Sequence, residues 1–368
     1  MTIGSVAIIG TRGYPSFYGG FETLVRKLAP FLAERGWDVT VYGRPGATVD
    51  SADGRDPRVT TVTTRGMESK SLSTLSFGAT SAVHAARHKP DVALIMNVAN
   101  GFWLPMLRRK RIPTVINVDG IEWERGKWGK LARTVFKTGA KLTARHGDIL
   151  IADSTNIGQY WSDVFGSDSV FIPYGGDIPP TDLPVVDGLR KGSYVLMVAR
   201  FVPENTISEF LDSIEYLSAD HDVVIVGSTG YGGPLEEQVR ELCSANNKVR
   251  WLGHIADDRK LYSLWQNSGA YFHGHSVGGT NPALVQAMAC GAPTVARDTV
   301  FNREVLDDAA IFVAPTAHGI ADAINALMAD PSRRQELSAR SQKRARDLYS
   351  WDYICAQYED ALKKAIDI

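Results

Sequence analysis

Residues 6–42 read VAIIGTRGYPSFYGGFETLVRKLAPFLAERGWDVTVY, and this stretch decides the fold. Val6–Ile9 predicts a short buried strand, and a glycine-rich loop from Gly10 to Gly20 follows it. Apolar residues then recur at helical spacing up to Gly36, which suits the left-handed end of a helix. Val39–Tyr42 predicts the next strand. A strand, a loop, a helix and a strand in this order form a βαβ unit, the building block of parallel sheets.

The same alternation of strands and helices continues along the chain. In the first half the sequence predicts further strands at Val92–Met96, Thr114–Val118 and Ile149–Ala152. In the second half it predicts them at Tyr194–Val198, Val223–Val226, Val249–Leu252, Ala270–His273, Pro293–Ala296 and Ala310–Val313. Helical periods lie between most of these strands. We therefore expect an α/β protein with two doubly wound, Rossmann-like sheets.

A segment rich in Pro, Asp and Gly from Asp177 to Gly192 predicts the linker between the two domains. We expect domains over residues 1–180 and 190–350. The last predicted helix, over 351–368, is expected to pack back toward the first domain. Two such domains facing each other would form a cleft, and open sheets bind ligands at the carboxyl ends of their strands.

Composition fits a globular protein but hides an asymmetry of charge. The chain has 368 residues, of which 44% are hydrophobic and 22% charged, and its net charge is −1. Residues 1–180 hold 22 basic and 16 acidic side chains, whereas the remainder holds 18 and 25. A near-neutral chain with an acidic half and no recognised nucleic-acid module is a poor candidate for a nucleic-acid binder.

Cysteine usage and the N-terminal residues predict a cytoplasmic protein. Cys243, Cys290 and Cys355 are far apart and include no CxxC pair, which suits reduced thiols and gives no metal site. The first ten residues lack a basic region and carry only a short apolar run, so we do not expect a secretory signal.

Residues 273–291, HGHSVGGTNPALVQAMACG, carry the strongest local signal for a ligand site. Asn281 is a good N-cap and Pro282 suits the first helical position. Gly278 and Gly279 would let a ligand approach, and the free N–H groups of the helix start suit a diphosphate. The alternative is an ordinary helix cap.

Two further loops follow the first strands of the two domains. Arg200, at the end of a strand, can pair bidentately with phosphate oxygens, although a surface salt bridge is an equally good interpretation. In the N-terminal loop Arg12 precedes Gly19-Gly20 and Glu22. The glycine spacing there is not G-x-G-x-x-G, and no acidic residue closes the second strand, so a nicotinamide dehydrogenase is disfavoured.

Residues 117–128, NVDGIEWERGKW, follow another predicted strand. Asp119, Glu122 and Arg125 near two tryptophans could bind a sugar, because carboxylates accept its hydroxyls and indole faces cover its apolar side. The alternative is a loop with two core tryptophans.

Taken together, these motifs resemble glycosyltransferase family 4, the nucleotide-sugar-dependent retaining enzymes of the GT-B fold. Gly19-Gly-Phe-Glu22 is similar to the family's GGxE loop, and Arg200 resembles its donor-phosphate arginine. Residues 252–257, LGHIAD, and 287–293, AMACGAP, are typical of its second domain. The resemblance extends over nearly the whole chain.

A narrower resemblance is to bacterial β-1,4-rhamnosyltransferases that use dTDP-L-rhamnose. It rests on GTRG at 10–13, YGGFET at 18–23, NVDGIEW at 117–123 and GHSVGGTNP at 274–282. It implies retaining transfer of L-rhamnose from dTDP-L-rhamnose to a saccharide or lipid-linked acceptor in cell-surface polysaccharide synthesis. No metal or other cofactor is implied.

The resemblance also implies roles for individual residues. The catalytic residues would be Asp119 and Arg200. The donor would be bound by Gly19, Gly20, Arg200, Asn205, His275, Gly279, Thr280, Asn281 and Gln286. The acceptor would be bound by Arg12, Tyr18, Glu22, Glu122 and Arg125.

This sequence departs from the family's pattern at four positions. Gln286 and Gly278 stand where the family has Glu-x7-Glu, Asn205 replaces a lysine, and Asp119 replaces a histidine. A GT-B enzyme that uses a UDP- or GDP-sugar, including an epimerase, and a non-catalytic nucleotide-sugar-binding homologue therefore remain as alternatives.

A basic segment of the first domain predicts a membrane contact. Its cations are Arg108, Arg109, Lys110, Arg111, Lys127, Lys130, Arg133, Lys137, Lys141 and Arg145. Leu131, Val135, Phe136 and Leu142 are expected to form the apolar face of an amphipathic helix. The alternative is a solvated helix face; with a lipid-linked acceptor we expect peripheral association with anionic lipid at the inner face of the cell membrane.

Overall fold

A computed structural model divides the chain into two compact units. The first unit comprises Met1–Tyr174 and Trp351–Ile368, and the second comprises Gly175–Ser350. The division falls a few residues before the expected boundary at 180. The structure describes residues 3–16, 19–47, 54–68, 73–124, 129–180, 182–217, 219–230 and 232–368.

The described part of the first unit contains a seven-stranded parallel sheet in the order β3-β2-β1-β4-β5-β6-β7. Its strands are β1 (Gly4–Ile9), β2 (Trp37–Gly43), β3 (Val59–Thr63), β4 (Val92–Met96), β5 (Thr114–Asn117), β6 (Ile149–Ala152) and β7 (Val170–Phe171). Its first five helices are α1 (Gly20–Glu34), α2 (Ser73–His88), α3 (Leu104–Arg109), α4 (Lys130–His146) and α5 (Thr155–Phe165). The central strands are continuous apolar runs because helices cover both faces.

The second unit contains, within its described residues, a six-stranded parallel sheet in the order β10-β9-β8-β11-β12-β13. Its strands are β8 (Tyr194–Val198), β9 (Asp222–Val226), β10 (Val249–Trp251), β11 (Ala270–His273), β12 (Thr294–Arg297) and β13 (Ala310–Val313). Its helices are α6 (Ile207–Leu217), α7 (Pro234–Ala245), α8 (Asp258–Gln266), α9 (Pro282–Ala289), α10 (Val300–Leu306), α11 (Ala317–Ala329) and α12 (Pro331–Leu348). In β8, β9 and β13 alternate residues enter separate clusters on the two faces of the sheet.

The last helix, α13 (Trp351–Ile366), belongs to the first unit. Ile354, Tyr358 and Leu362 recur at helical spacing and are buried in the same core cluster as Leu24 and Leu28 of α1. The C-terminal segment thus completes the core of the unit that contains the N-terminal strands.

The predicted α/β class with doubly wound parallel sheets is confirmed. The sequence analysis missed two strands and three helices in the first unit, β3, β7, α2, α3 and α5, and one helix in the second, α10. Helix α2 is rich in Ser, Ala and Thr and buries mainly small residues. Its apolar stripe is therefore too weak to mark a helix by periodicity.

Helix α4 forms as predicted, but its packing face differs from the expected one. Its buried residues are the small Gly139, Ala140 and Thr143, and the backbone carbonyl of Gly139 lies close to Gly101 in the turn after β4. Leu131, expected on the apolar face, is 80% exposed. Small residues let two backbones approach, whereas Val135, Phe136 and Leu142 of the expected face are half-buried. None of the helices in the described ranges is both long and apolar enough to span a bilayer.

Candidate functional site

In the second unit the two loops singled out by the sequence lie at the point where the strand order reverses. Strand β8 has one neighbour on each side in the sheet. On one side lies β9, the next strand along the chain, and on the other side lies β11. The loops that leave β8 and β11 therefore diverge at the carboxyl edge of the sheet. Open α/β sheets bind their ligands in the crevice at this switch point.

Hydrogen bonds join these two loops. Asn205 Nδ2 donates to the carbonyl of Arg200 at 2.8 Å, and Asn205 Oδ1 lies 2.6 Å from His275 Nδ1. The backbone N–H and the hydroxyl of Ser276 both donate to the carbonyl of Glu204 at 2.9 Å. Arg200, Asn205 and His275, which the sequence assigns to the donor, therefore belong to one connected structure.

Arg200 itself presents an uncompensated positive charge. Its side chain is exposed, and no acidic side chain of the described residues forms an ion pair with it. Its carbonyl is held by Asn205 and by the N–H of Val202, at 2.9 Å in the second case. A fixed backbone with an unpaired guanidinium suits an incoming anion.

A second arginine at this edge was missed at the level of the sequence. Arg297 ends β12, next to β11, and its Nη1 donates to Thr206 Oγ1 at 3.0 Å. The Thr206 hydroxyl in turn donates to the carbonyl of Gly274 at 2.6 Å. Thr206 has a φ of +56°, a strained value for a β-branched residue. The signal that could have identified Arg297 from the sequence is its position, an arginine at the end of a strand beside the switch point.

The helix start after β11 is built as predicted. Asn281 is the N-cap of α9, and its Oδ1 accepts from the N–H groups of Ala283 at 2.9 Å and Leu284 at 3.4 Å. Pro282 is the first helical residue. Gly278 has a φ of +95°, and Gly279 and Thr280 complete the loop between it and the cap. The predicted cap is thus confirmed, and the donor contacts of Gly279, Thr280 and Asn281 stay predictions.

The side-chain amide of Gln286 forms hydrogen bonds that the sequence did not indicate. Its Oε1 accepts from the N–H of Asp177 at 2.9 Å, and its Nε2 donates to the carbonyl of the same residue at 2.7 Å. Both amide atoms therefore hold the segment that precedes β8. Nε2 also donates to Cys290 Sγ at 3.6 Å, so one lone pair of Oε1 remains on the amide for a ribose hydroxyl, the role expected from the sequence.

His273, the last residue of β11, is a buried neutral imidazole. Burial, and to a lesser extent the charge of His275, lowers its pKa to about 3. Its Nδ1 lies 3.0 Å from the Tyr271 hydroxyl, and its Nε2 has no hydrogen-bond partner among the described residues. The protonated form of His273 is therefore strongly disfavoured. His273 directly precedes the loop that carries His275.

In the first unit the corresponding switch point lies between β1 and β4, which pair with each other. The loop after β1 begins at Gly10, whose φ is +97°. A Cβ at this position would lie 2.3 Å from the carbonyl oxygen of Met96, the last residue of β4. Only glycine allows the loop to leave the sheet at this point.

Helix α1 begins beside a group of buried acidic side chains. Glu22 is 6% exposed, and its Oε1 accepts from the N–H of Arg12 at 2.9 Å. A Cβ at Gly20 would lie 3.3 Å from the Tyr174 hydroxyl. Burial and the nearby charges of Asp119, Asp153 and Glu22 raise the pKa of Tyr174. Tyr174 therefore lies beside the start of α1, and Asp119 is among the charges that act on it.

Asp119 follows β5 in a conformation that few non-glycine residues adopt. Its φ is +58°, and that of Asn97, after the adjacent strand β4, is +72°. Asn97 Nδ2 donates to Asp119 Oδ2 at a long 3.4 Å, and the N–H of Asp119 donates to Asn117 Oδ1 at 2.9 Å. Two such backbone outliers side by side at a sheet edge are typical of functional sites.

The other residues that the sequence singles out in the sugar-binding loop are buried or lie outside the described residues. Glu122 is 4% exposed. Trp123 donates from Nε1 to the Tyr160 hydroxyl at 3.2 Å and meets the Phe165 ring edge-on. Trp123 is thus a core tryptophan, as the alternative interpretation holds. Tyr18, Arg125 and the second tryptophan, Trp128, fall outside the described residues.

The described ranges hold no group of three or more His, Cys, Asp or Glu side chains placed to bind a metal ion. The metal-independent reaction implied by the sequence stays a prediction.

Comparison with protein families assigns both halves of the chain. Residues 18–178 match the family model Glycosyltransferase Family 4, and residues 187–344 match the model Glycosyl transferases group 1. The two matched regions correspond to the two units: the first unit matches the family 4 model and the second matches the group 1 model.

Curated relatives match part of the chain. Phosphatidyl-myo-inositol mannosyltransferase of Mycolicibacterium smegmatis is 32% identical over 223 residues, which are 57% of this chain and 55% of the relative. O-antigen chain mannosyltransferase B of Escherichia coli is 24% identical over 195 residues, 50% of each chain. The match thus spans about half the length of these relatives. Both are mannosyltransferases, so they give no support to the narrower resemblance to rhamnosyltransferases.

Solved structures match the whole chain. Sucrose-phosphate synthase of Thermosynechococcus elongatus aligns with a TM-score of 0.79 at 19% identity, over 98% of both chains. Anabaena HepE in complex with UDP and glucose aligns with a TM-score of 0.75 at 19% identity, over 98% of this chain and 100% of that chain. The expected GT-B fold is thereby confirmed.

Proposed function

We propose that this chain, a glycosyltransferase family 4 domain followed by a group 1 domain, is a retaining glycosyltransferase. Its donor is a nucleotide diphosphate sugar and its acceptor a saccharide or a lipid-linked saccharide. The observation that carries the proposal is the exposed, unpaired guanidinium of Arg200 at the switch point of the second unit, where the capped start of α9 also lies.

The donor diphosphate is assigned to Arg200 and the N-terminal end of α9. Breaking the glycosidic bond leaves a growing negative charge on the diphosphate. A guanidinium and the positive N-terminal end of the α9 dipole, both already in place, stabilise that charge more in the transition state than in the bound donor. Because Asn205 replaces the usual lysine, it adds no charge; it fixes the carbonyl of Arg200 and the ring of His275.

The acceptor and the transferred sugar are assigned to the edge of the first unit at Arg12, Glu22 and Asp119. A carboxylate at Asp119 can accept sugar hydroxyls or stabilise positive charge at the anomeric carbon. We do not assign it the role of nucleophile. Retention of the anomeric configuration is taken from the resemblance.

The transferred sugar is L-rhamnose from dTDP-L-rhamnose, on the strength of the motifs at 10–13, 117–123 and 274–282. A second candidate donor is a GDP- or UDP-sugar, because the relatives are mannosyltransferases and HepE binds UDP and glucose. The lipid named in the mycolicibacterial relative favours a lipid-linked acceptor.

A donor panel tests the proposal. The melting temperature is measured with dTDP-L-rhamnose, GDP-mannose and UDP-glucose, and the same sugars are then offered with lipid-linked acceptors. Binding raises the melting temperature by mass action, so the true donor should raise it more than the other two nucleotide sugars do. Binding without transfer to any acceptor would favour the non-catalytic homologue. A chain that binds none of the three has another function.

The first unit is further assigned a contact with anionic lipid at the cytoplasmic face of the membrane. Lys130, Lys137 and Lys141 of α4 are exposed and pair with no acidic side chain of the described residues. The exposed Leu131 lies in the same half of the helix as Lys130. Arg108 Nη1 reaches the carbonyl of Arg145 at 3.5 Å, which joins the basic end of α3 to α4. Cations with an exposed leucine fit an anionic bilayer surface.

A further inference from the structure

Asp119 is connected to the C-terminal helix through one buried side chain. The N–H of Asp119 donates to Asn117 Oδ1 at 2.9 Å, and Asn117 Nδ2 donates to the hydroxyl of Tyr358 at 2.7 Å. Tyr358 lies on α13, 241 residues further along the chain than Asn117. All three residues belong to the first unit.

The amide of Asn117 has one orientation that satisfies both neighbours. The Asp119 N–H can only donate, so the amide oxygen must face it and the amide nitrogen must face Tyr358. Asn117 is 1% exposed, so water cannot replace either partner without opening the site. The Tyr358 hydroxyl therefore fixes the amide that holds Asp119.

Asp119 needs such support because of its backbone. A φ of +58° is unfavourable for a residue with a Cβ and persists only where the surroundings impose it. The contact that its carboxylate accepts from Asn97 Nδ2 is long, at 3.4 Å. The bond from its N–H to Asn117 is shorter, and it acts directly on the backbone of the loop after β5.

We propose that Tyr358 is a positioning residue, which acts through Asn117 to hold Asp119 in its left-handed conformation at the sugar. This inference rests on the proposed function, because it assigns Asp119 to the transferred sugar. Tyr358 itself lies in the core and touches no reacting atom.

The test uses Tyr358→Phe, which removes the hydroxyl and keeps the ring. The matched control is Glu359→Gln on the same helix. Glu359 is 1% exposed, accepts from Trp37 Nε1 at 3.1 Å and pairs with Arg35 at 2.6 Å and with Lys363 at 2.9 Å, so its contacts lie on β2, the end of α1 and α13 itself. Tyr358→Phe removes a buried hydrogen bond of α13, and Glu359→Gln removes a buried charge that pairs with Arg35 and Lys363, so both should lower the melting temperature.

Sugar transfer separates the two variants. We expect Tyr358→Phe to lower kcat about 10- to 100-fold, with the donor KM within about twofold of wild type, because Asp119 is misplaced while the donor site is intact. Glu359→Gln should keep the wild-type kcat. A kcat for Tyr358→Phe that falls no further than that of the control overturns the proposal.

Hydrogen–deuterium exchange gives a readout that does not depend on activity. In Tyr358→Phe the peptide containing Asp119 should exchange faster than in wild type and in Glu359→Gln. If the wild type transfers no sugar, the proposed function fails, and the exchange rate of the Asp119 peptide alone tests the coupling of Tyr358 to Asp119. Faster exchange in Tyr358→Phe then upholds the coupling, and unchanged exchange overturns it. Should Tyr358→Phe not fold, Asn117→Ala carries the same comparison.

Discussion

Nδ1 of His275 lies 2.6 Å from Oδ1 of Asn205, so a side chain from the loop after β8 holds one from the loop after β11. Because Asn205 Nδ2 is already bound to the carbonyl of Arg200, the Asn205 oxygen faces His275, and His275 Nδ1 must donate. Asn205 therefore sets the orientation of two candidate donor ligands without carrying a charge itself.

Loss of the guanidinium at Arg200 should weaken transfer without unfolding the chain. We expect Arg200→Ala to lower kcat/KM about 30- to 1,000-fold, equivalent to about 2–4 kcal/mol of transition-state stabilisation. Arg346→Ala, which removes an exposed arginine from α12, is the control for net charge. Equal kinetics in the two variants would remove Arg200 from the donor site.

Acid should destabilise the second unit through His273. In the unfolded chain this residue takes up a proton as the pH falls below 6.5, whereas in the folded chain it stays neutral down to about pH 3. The free energy of unfolding should therefore fall between these values, by at most about 1.4 kcal/mol per pH unit from this group. Chemical denaturation between pH 7.5 and about 4 should give a shallower pH slope for His273→Gln. Parallel slopes would contradict the assignment.

Gly10 should be far less replaceable than another glycine with positive φ. Gly46 has a φ of +69°, and a Cβ added there would have no neighbouring atom within 4 Å, so Gly46→Ala should cost about 1–2 kcal/mol of stability. Gly10→Ala adds a collision with the Met96 carbonyl and should cost about 2–5 kcal/mol. Urea denaturation measures both, and similar losses would show that the loop can shift.

Binding to anionic vesicles should depend on α4. Replacing Lys130, Lys137 and Lys141 together by Ala should reduce co-sedimentation with vesicles that contain anionic lipid and weaken its salt dependence. The control replaces the exposed lysines 191, 260 and 364, which removes the same charge elsewhere. Equal binding by both triple variants would place the lipid contact on another surface.

The sequence predicted the sheet strands well because buried parallel strands are continuous apolar runs with glycine or polar residues at their ends. Strand β8 and strand β11 have the bounds that the sequence predicts. Helix α2 was missed because it packs through small residues, which carry little hydropathy signal. The packing face of α4 was predicted only in part for the same reason, since Gly139 and Ala140 are buried and Leu131 is exposed.

The candidate site was predictable only where a local pattern carries it. The cap at Asn281 is encoded by its neighbours in sequence, and the structure contains it. The contact of Gln286 with Asp177 spans 109 residues, and that of Asn117 with Tyr358 spans 241. Such pairs depend on which elements the tertiary fold brings together, and a single sequence holds no periodicity that reveals them.

The packing of α13 in the first unit also imposes an order on biosynthesis. On the ribosome, Leu24 and Leu28 emerge early, but the helix that buries them alongside Ile354 and Tyr358 emerges only after all of Gly175–Ser350 has been made. At typical elongation rates that interval is roughly 10–35 s. The second unit can complete its core while the first still exposes part of its own, so the nascent chain presents apolar surface to chaperones or to other chains throughout that time.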